Sequence, residues 1–133
     1  MEEDLVTRLT GVAGISAIVG AQVSWFWFQR GETGGRIALS MISPGESWTH
    51  EGPDGLPHPR VQIDCRHEDP DTLAALKRLV VAEMQTESIA GGTKFHPAEL
   101  AGEQGVNEGE QDGGLHSYRA SLDFIFYHEA NPV

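Results

Sequence analysis

The stretch HEGPDGLPHPRVQIDC, residues 50 to 65, gathers the side chains of this chain that are best suited to chemistry. It holds two histidines, three acids and the chain's only cysteine, and another histidine follows two residues later. Imidazole, carboxylate and thiolate groups are the usual ligands of zinc, and a cysteine beside a histidine can act as a nucleophile with its base. Two sites have to be weighed: a metal centre, or a thiol site of Cys65 with His67 or His96. The candidate metal ligands are His50, His58, His67, Asp64 and Cys65.

The spacing of these residues argues against a metal centre. Structural zinc ligands usually come in pairs two to four residues apart, whereas His50 and His58 lie eight positions apart. In RVQIDC, residues 60 to 65, apolar and polar residues alternate as in a half-buried strand, so Asp64 is predicted to face outward and Cys65 the core. A free cysteine on an apolar face behaves as a small hydrophobe. We therefore predict no metal and no cofactor here, and a turn-rich loop that leads into a strand.

The other motifs for catalysis or ligand binding are weaker. No helix begins directly after Cys65, and Arg66 is its one basic neighbour, so little would activate the thiol. The glycine clusters GETGG and EQDGG lack the lysine of a phosphate loop, and the acids of residues 103 to 112 lack calcium-loop spacing. A carboxylate pair for glycoside hydrolysis stays open, although nothing singles one out. We predict that the protein is not an enzyme.

Composition bounds the function further. A length of 133 residues fits one domain, residues 1 to 133, with a single core. The net charge of −11, with nine basic residues and no basic stripe, argues against a surface that grips nucleic acid phosphates. One cysteine makes no internal disulfide and fits a reducing compartment. No apolar run approaches the roughly 20 residues of a membrane span, and the acidic start MEEDL is unlike a signal peptide.

Hydrophobic periodicity predicts an α+β fold. Helices are predicted over residues 3 to 10, 14 to 20, and from Pro70, capped by Asp69, to the glycines 91 and 92. Strands are predicted over residues 23 to 29 and 36 to 43, as a hairpin, and over residues 60 to 65, 93 to 100 and 118 to 128. The expected architecture is an antiparallel-rich, mixed sheet of four to five strands with two main helices on one face. Residues 101 to 114 hold five glycines and four acids, and are predicted to form a flexible loop.

The run of four aromatic residues in VSWFWFQ, residues 23 to 29, places bulky rings on both faces of one predicted strand. Two helices can cover only one face of a small sheet, so two of the four rings would be exposed unless a partner covers them. Exposed aromatic patches usually mark interfaces. This pattern therefore predicts an oligomer.

Several segments in order resemble one family. They are an N-terminal helix ending in AIVG, then HEGPDGLPHPRVQIDC, then a helix beginning EDPDTLAALKRLV, then YRASLDFIFYH near the C-terminus. This arrangement resembles the tail-completion (tail-terminator) proteins of long-tailed bacteriophages and of phage-derived gene transfer agents. The most specific pieces are RVQIDC and YRASLDFIFY. VSWFWFQRGETGG and the lengthened acidic segment of residues 101 to 114 depart from the family pattern.

The resemblance implies a structural protein that assembles into a ring, commonly of six subunits. Such a ring caps the tail tube and docks the head-side connector, or stopper, while DNA passes the channel without specific binding. It lies in the virion at the head–tail junction and is assembled in the bacterial cytoplasm. The predicted aromatic strand, residues 23 to 29, and the predicted terminal strand, residues 118 to 128, are expected to form the contacts between subunits. The interface candidates are Trp25, Trp27, Phe28, Arg119 and Asp123.

Three other functions stay open at this point. The first is a related head–tail neck or connector protein. The second is a small soluble enzyme or metal-dependent binding domain that uses the histidine, aspartate and cysteine cluster. The third is a host cytosolic interaction module with the same fold.

Overall fold

The computed structural model describes residues 1–26, 34–43, 47–49, 52–54, 58–110 and 116–130. This part of the chain forms helices and short and long strands in an α+β order. In chain order the elements are α1 (Glu2–Gly11), α2 (Ala13–Val19), β1 (Val23–Trp25), β2 (Arg36–Ser43), β3 (Ser47–Thr49), β4 (Gly52–Asp54), β5 (Arg60–His67), α3 (Pro70–Met84), β6 (Ser88–Ala90), β7 (Thr93–Phe95), β8 (Glu99–Glu110), β9 (His116–Ile125) and β10 (His128–Ala130).

The three predicted helices are present. Acidic residues fill the first turn of α1, where they complement the helix dipole. In α3 the Asp69 carboxylate accepts a hydrogen bond from the Asp71 N–H, and Pro70 takes the first helical position, where its missing N–H costs little. The predicted end of this helix at Gly91 is wrong, because α3 ends at Met84 and residues 88–90 form β6. The segment QTES that follows Met84 brings no apolar side chain to extend the buried stripe.

A mixed five-stranded sheet of order β1-β2-β5-β9-β8 forms the centre of the fold, which confirms the predicted sheet. The predicted hairpin of the first two strands is wrong, because β1 runs parallel to β2. The Ile37 N–H donates to the Gln22 carbonyl, and the Phe26 N–H donates to the Leu39 carbonyl. The pattern of hydrophobic residues indicates that a segment is a strand, but it does not indicate whether the strand runs parallel or antiparallel to its neighbour.

The helices cover one face of this sheet. Val61, Ile63 and Cys65 of β5 and Leu122 and Phe124 of β9 face the helices and are fully buried, as the alternation predicts. One hydrophobic cluster takes in side chains of all three helices and of both larger sheets. That the whole of residues 1 to 133 forms one domain stays a prediction.

The face of the sheet away from the helices, called here the polar face, carries Gln62, Asp64, Arg119, Ser121 and Asp123. Asp64 points away from Cys65, as the alternation predicts, but its side chain is only 8% exposed. It lies between Ala38 on one neighbouring strand and Ser121 on the other, and the Gln62 amide donates to both of its carboxylate oxygens. Because β5 has a neighbouring strand on each side, even the polar side chain of Asp64 is shielded from water.

The segment predicted to be a flexible loop, residues 101 to 114, is a strand over the part that the structure describes. β8 covers Glu99–Glu110 and pairs antiparallel with β9, with irregularities after Leu100 and Asn107. Residues 111 to 114 lie outside the described part. Strand pairing uses backbone N–H and C=O groups, so an edge strand rich in glycine and acids can form where a long partner such as β9 supplies the register.

A second, three-stranded sheet of order β10-β7-β6 packs beside α1. The Thr93 hydroxyl donates to the Asp4 carboxylate at 2.6 Å, which ties the β6–β7 turn to the first helix. β3 and β4 pair with each other as a separate two-stranded ribbon. Among the described residues, no helix has the length and apolar character needed to cross a membrane.

Candidate functional site

The aromatic edge, defined as Trp25 and Phe26, lies where β1 ends at one side of the sheet. The Trp25 indole N–H donates to the Glu2 carbonyl at 2.9 Å, which holds this half-buried ring against α1. Phe26 is 72% exposed, and its φ of 78° is in the left-handed region. Its ring lies 5.8 Å from that of Trp25. The other two interface candidates of this run, Trp27 and Phe28, lie outside the described residues.

Phe26 is the residue that the sequence prediction missed at this edge. The period-two pattern treated residues 23 to 29 as one strand, whereas the described strand ends at Trp25. The next residue, Phe26, has a positive φ and lies outside the strand. A positive φ is uncommon for a bulky residue, and no pattern of residue types in VSWFWFQ indicates it.

Arg119 and Asp123, the candidates on the terminal strand, lie on the polar face of β9. Asp123 accepts a hydrogen bond from Arg60 of β5 at 2.7 Å, so its charge is balanced within the sheet. Trp25 belongs to the opposite face, and two strands, β2 and β5, separate its strand β1 from β9. Among the candidates that the structure describes, Trp25 therefore does not share a patch with Arg119 and Asp123.

At the end of the polar face, Arg36 and Glu68 form an ion pair. The Arg36 guanidinium donates to Glu68 Oε2 at 2.8 Å, and the Gly34 N–H donates to Oε1 at 2.8 Å. Burial alone raises the pKa of the Glu68 carboxyl, but the hydrogen bonds from Gly34 and Arg36 outweigh it and hold the pKa below the ordinary value. The pair fastens the start of β2 to the end of β5.

The lowered pKa of Glu68 sets the sign of a pH dependence. Its ionised form stabilises the folded state above the ordinary pKa of 4.5, and this contribution is lost as the pH falls through the lower folded-state value. We expect Glu68→Gln to lower the free energy of unfolding at pH 7, with a difference from wild type that shrinks towards pH 3. Urea unfolding at both pH values checks this. The exposed Glu99→Gln is the control, and an equal deficit at both pH values would contradict the prediction.

The residues of the opening stretch do not converge. Cys65 is in the core, the His67 ring nitrogen Nδ1 accepts a hydrogen bond from the Asp69 N–H at 2.8 Å, and the His58 ring stacks on Tyr127. His50 lies outside the described residues. Within the described ranges, no group of three or more His, Cys, Asp or Glu side chains is placed to hold a metal ion.

Burial, with a smaller contribution from the Asp64 charge, raises the pKa of the Cys65 thiol to about 12. Thiolate is the reactive form, so the folded protein should resist alkylation. We expect iodoacetamide at pH 8 to label Cys65 at least about tenfold more slowly in the folded protein than in urea. Mass spectrometry of timed samples measures this, and labelling at the same rate in both states would contradict it.

A groove opens on the helix side of the sheet, between α3 and the outer strands. This α3–β8 groove has a volume of about 340 Å³, and its lining is mainly apolar, with the walls formed by Pro70, Leu73, Ala74, Gly105, Tyr118 and Ala120. It exists because both walls carry small residues. A Cβ atom added at Gly105 would meet nothing within 4 Å. An ion pair between Lys77 of α3 and Glu103 of β8, at 2.6 Å, bridges the two walls.

Comparison with known proteins identifies the fold and not a family. No family model matches the chain, and no curated protein matches it. Among solved structures, a chain of the "Virion of native gene transfer agent (GTA) particle" has the same fold, with a TM-score of 0.66. The match covers 98% of this chain and 95% of that chain at 12% sequence identity. At this identity the likeness establishes a shared α+β fold over nearly the whole length of both chains.

Proposed function

We propose that the protein is a virion structural protein, a tail terminator whose ring caps the tail tube and joins it to the head-side connector. The observation that carries this proposal is the fold shared, over 98% of the chain, with a component of a gene transfer agent particle. The segments RVQIDC and YRASLDFIFY support it independently. They are the pieces that resemble tail-completion proteins, and they form the adjacent central strands β5 and β9.

The surfaces of the subunit fit a ring. A ring closes when each subunit presents two different, complementary surfaces to its neighbours. The central sheet offers two outer strands, β1 and β8, at opposite sides. The net charge of −11 per subunit, repeated around a channel, would repel the DNA backbone and so favour its passage over its binding.

The proposed partners follow from this role. They are further copies of the chain in a hexameric ring, the major tail tube protein, and the connector or stopper protein on the head side. The proposed location is the head–tail junction of the virion, after assembly in the bacterial cytoplasm. The role is structural, and the charged side chains Arg36, Glu68, Arg60 and Asp123 are engaged in pairs within the fold.

Electron microscopy of the purified protein, alone and mixed with tail tubes from the same particle, tests the proposal. We expect rings that sit at one end of each tube. Rings that bind the head-side connector but leave tube ends bare would instead support the related neck or connector function. Tubes without caps, together with a protein that binds neither component, would overturn the virion role.

A further inference from the structure

We propose that Phe26 of one copy inserts into the α3–β8 groove of the next copy, which joins the subunits head to tail. This inference rests on the proposed function, because it names the contact through which the ring would close. The occupant of the groove is thus a second copy of this chain. Four features of the subunit carry the proposal.

The first feature is the presentation of Phe26. Its ring is 72% exposed, while its backbone is fixed, since the Phe26 N–H donates to the Leu39 carbonyl at 2.6 Å. The neighbouring Trp25 ring contacts it and is itself held by the Glu2 carbonyl. A rigid exposed aromatic ring loses little conformational entropy on binding, which is the usual character of an interface anchor.

The second feature is the shape of the α3–β8 groove. At about 340 Å³ it has the size of a small ligand pocket, and its mainly apolar lining suits a phenyl ring. The space above Gly105 is open in the subunit. An aromatic anchor that fills such a pocket is the usual centre of a protein interface.

The third feature is the position of the two surfaces in the sheet. One row of paired residues runs from Trp25 through Leu39, Ile63 and Leu122 to Glu103. Phe26 therefore follows one end of this row, and the groove lies beside the other end, four strand spacings or about 19 Å across the sheet. Different surfaces at opposite sides of a subunit give a heterologous contact, which closes into a ring when the rotation fits.

The fourth feature is charge. The exposed Glu2 and Glu3 begin α1 beside the aromatic edge, as the hydrogen bond from Trp25 to Glu2 shows. On the groove side, Lys77 of α3 lines the groove and is paired with Glu103 of β8, and the exposed Arg78 follows it on the helix without lining the groove. The chain has nine basic residues against twenty acids, so an exposed arginine next to a groove-lining residue is a distinct feature. The exposed Arg78 is opposite in sign to the acidic start of α1, which favours pairing of these two sides over pairing of like edges.

Substitutions at the aromatic edge test one half of the contact. Phe26→Gly removes the ring and suits the positive φ, so the variant should be at least as heat-stable as wild type. We expect Phe26→Gly and Phe26→Asp to weaken self-association at least about tenfold in sedimentation velocity. The control is Ile89→Asp, because Ile89 is also exposed, at 56%, but lies on the small sheet.

Filling the groove tests the other half. Ala74→Trp places a large ring in the groove, and we expect it to weaken association to the same degree as Phe26→Asp. Ala82→Trp is the matched control, because Ala82 is exposed on the same helix and does not line the groove. A mixture of the Phe26→Asp and Ala74→Trp proteins keeps one intact contact, and we expect it to stop at dimers.

The outcomes separate this inference from the proposed function. Rings that persist in both Phe26→Asp and Ala74→Trp would overturn the inference and leave the tail-terminator role intact. Association lost in Phe26→Asp but kept in Ala74→Trp would overturn it too, because the ring would then bind elsewhere, for example to another virion protein. Association through both sites without capping of tail tubes would support the inference and contradict the proposed function. A wild type that stays monomeric, alone and on tubes, would overturn both.

Discussion

Arg8→Ala is expected to lower the free energy of unfolding by about 3 to 5 kcal/mol, because it leaves a carboxylate and two carbonyls without their buried donor. Arg8 is almost completely buried in α1, and its Nε donates to the Glu83 carboxylate at 3.0 Å. Its Nη2 donates to the carbonyls of Glu83 and Thr86, just where α3 ends. The guanidinium also lies 5.2 Å from the centre of the Phe95 ring.

The consequence of this arrangement is that one side chain joins α1, the end of α3 and the small sheet. Urea unfolding followed by circular dichroism measures the loss. Arg78→Ala is the matched control, since it removes an exposed arginine from α3 and should change the free energy by less than about 0.5 kcal/mol. Similar losses for the two variants would show that the Arg8 contacts contribute little.

The elements that the sequence predicted well are those whose signal is local. Asp69 as the cap and Pro70 as the first helical residue together indicate where α3 starts. The alternation in RVQIDC places Cys65 in the core without any information on the neighbouring strands. These features depend on local backbone geometry and on the burial of one face of an element, and a short stretch of sequence is enough to indicate both.

The features that the sequence did not predict depend on partners far along the chain. The direction of β1 is set by its pairing with β2, and β8 is ordered as a strand by its pairing with β9. Asp64 is buried because strands on both sides flank it. Composition alone favoured a loop for residues 101 to 114, because a count of apolar side chains takes no account of backbone hydrogen bonds.

The candidate functional site likewise has some features that the local sequence indicates and others that depend on residues far apart in the chain. The aromatic run was recognisable as interface material, but the end of the strand at Trp25, which exposes Phe26, was not. The α3–β8 groove joins residues more than 30 positions apart, such as Ala74 and Gly105. No sequence motif marks the residues that line its walls. Only their juxtaposition across α3 and β8 makes a cavity.

The central sheet and the small three-stranded sheet meet at Phe126, and the change Phe126→Ala is therefore expected to have the second large effect. Phe126 is fully buried in the link between β9 and β10. Its ring lies 6.0 Å from that of Phe124 in the central sheet and 6.3 Å from that of Phe95 in the small sheet. Removal of this ring leaves a cavity in the shared core and breaks two aromatic contacts.

We expect Phe126→Ala to lower the free energy of unfolding by about 3 to 5 kcal/mol, as is usual for a large core side chain. For a chain of this length, the midpoint of thermal unfolding should fall by roughly 10 °C or more. Phe26→Ala makes the same chemical change at an exposed position and should alter the stability of the monomer by less than about 0.5 kcal/mol. Because the two variants differ only in burial, equal losses would mean that Phe126 does not join the sheets. A large loss for Phe126→Ala alone would show that burial of this ring between the two sheets contributes strongly to the stability of the subunit.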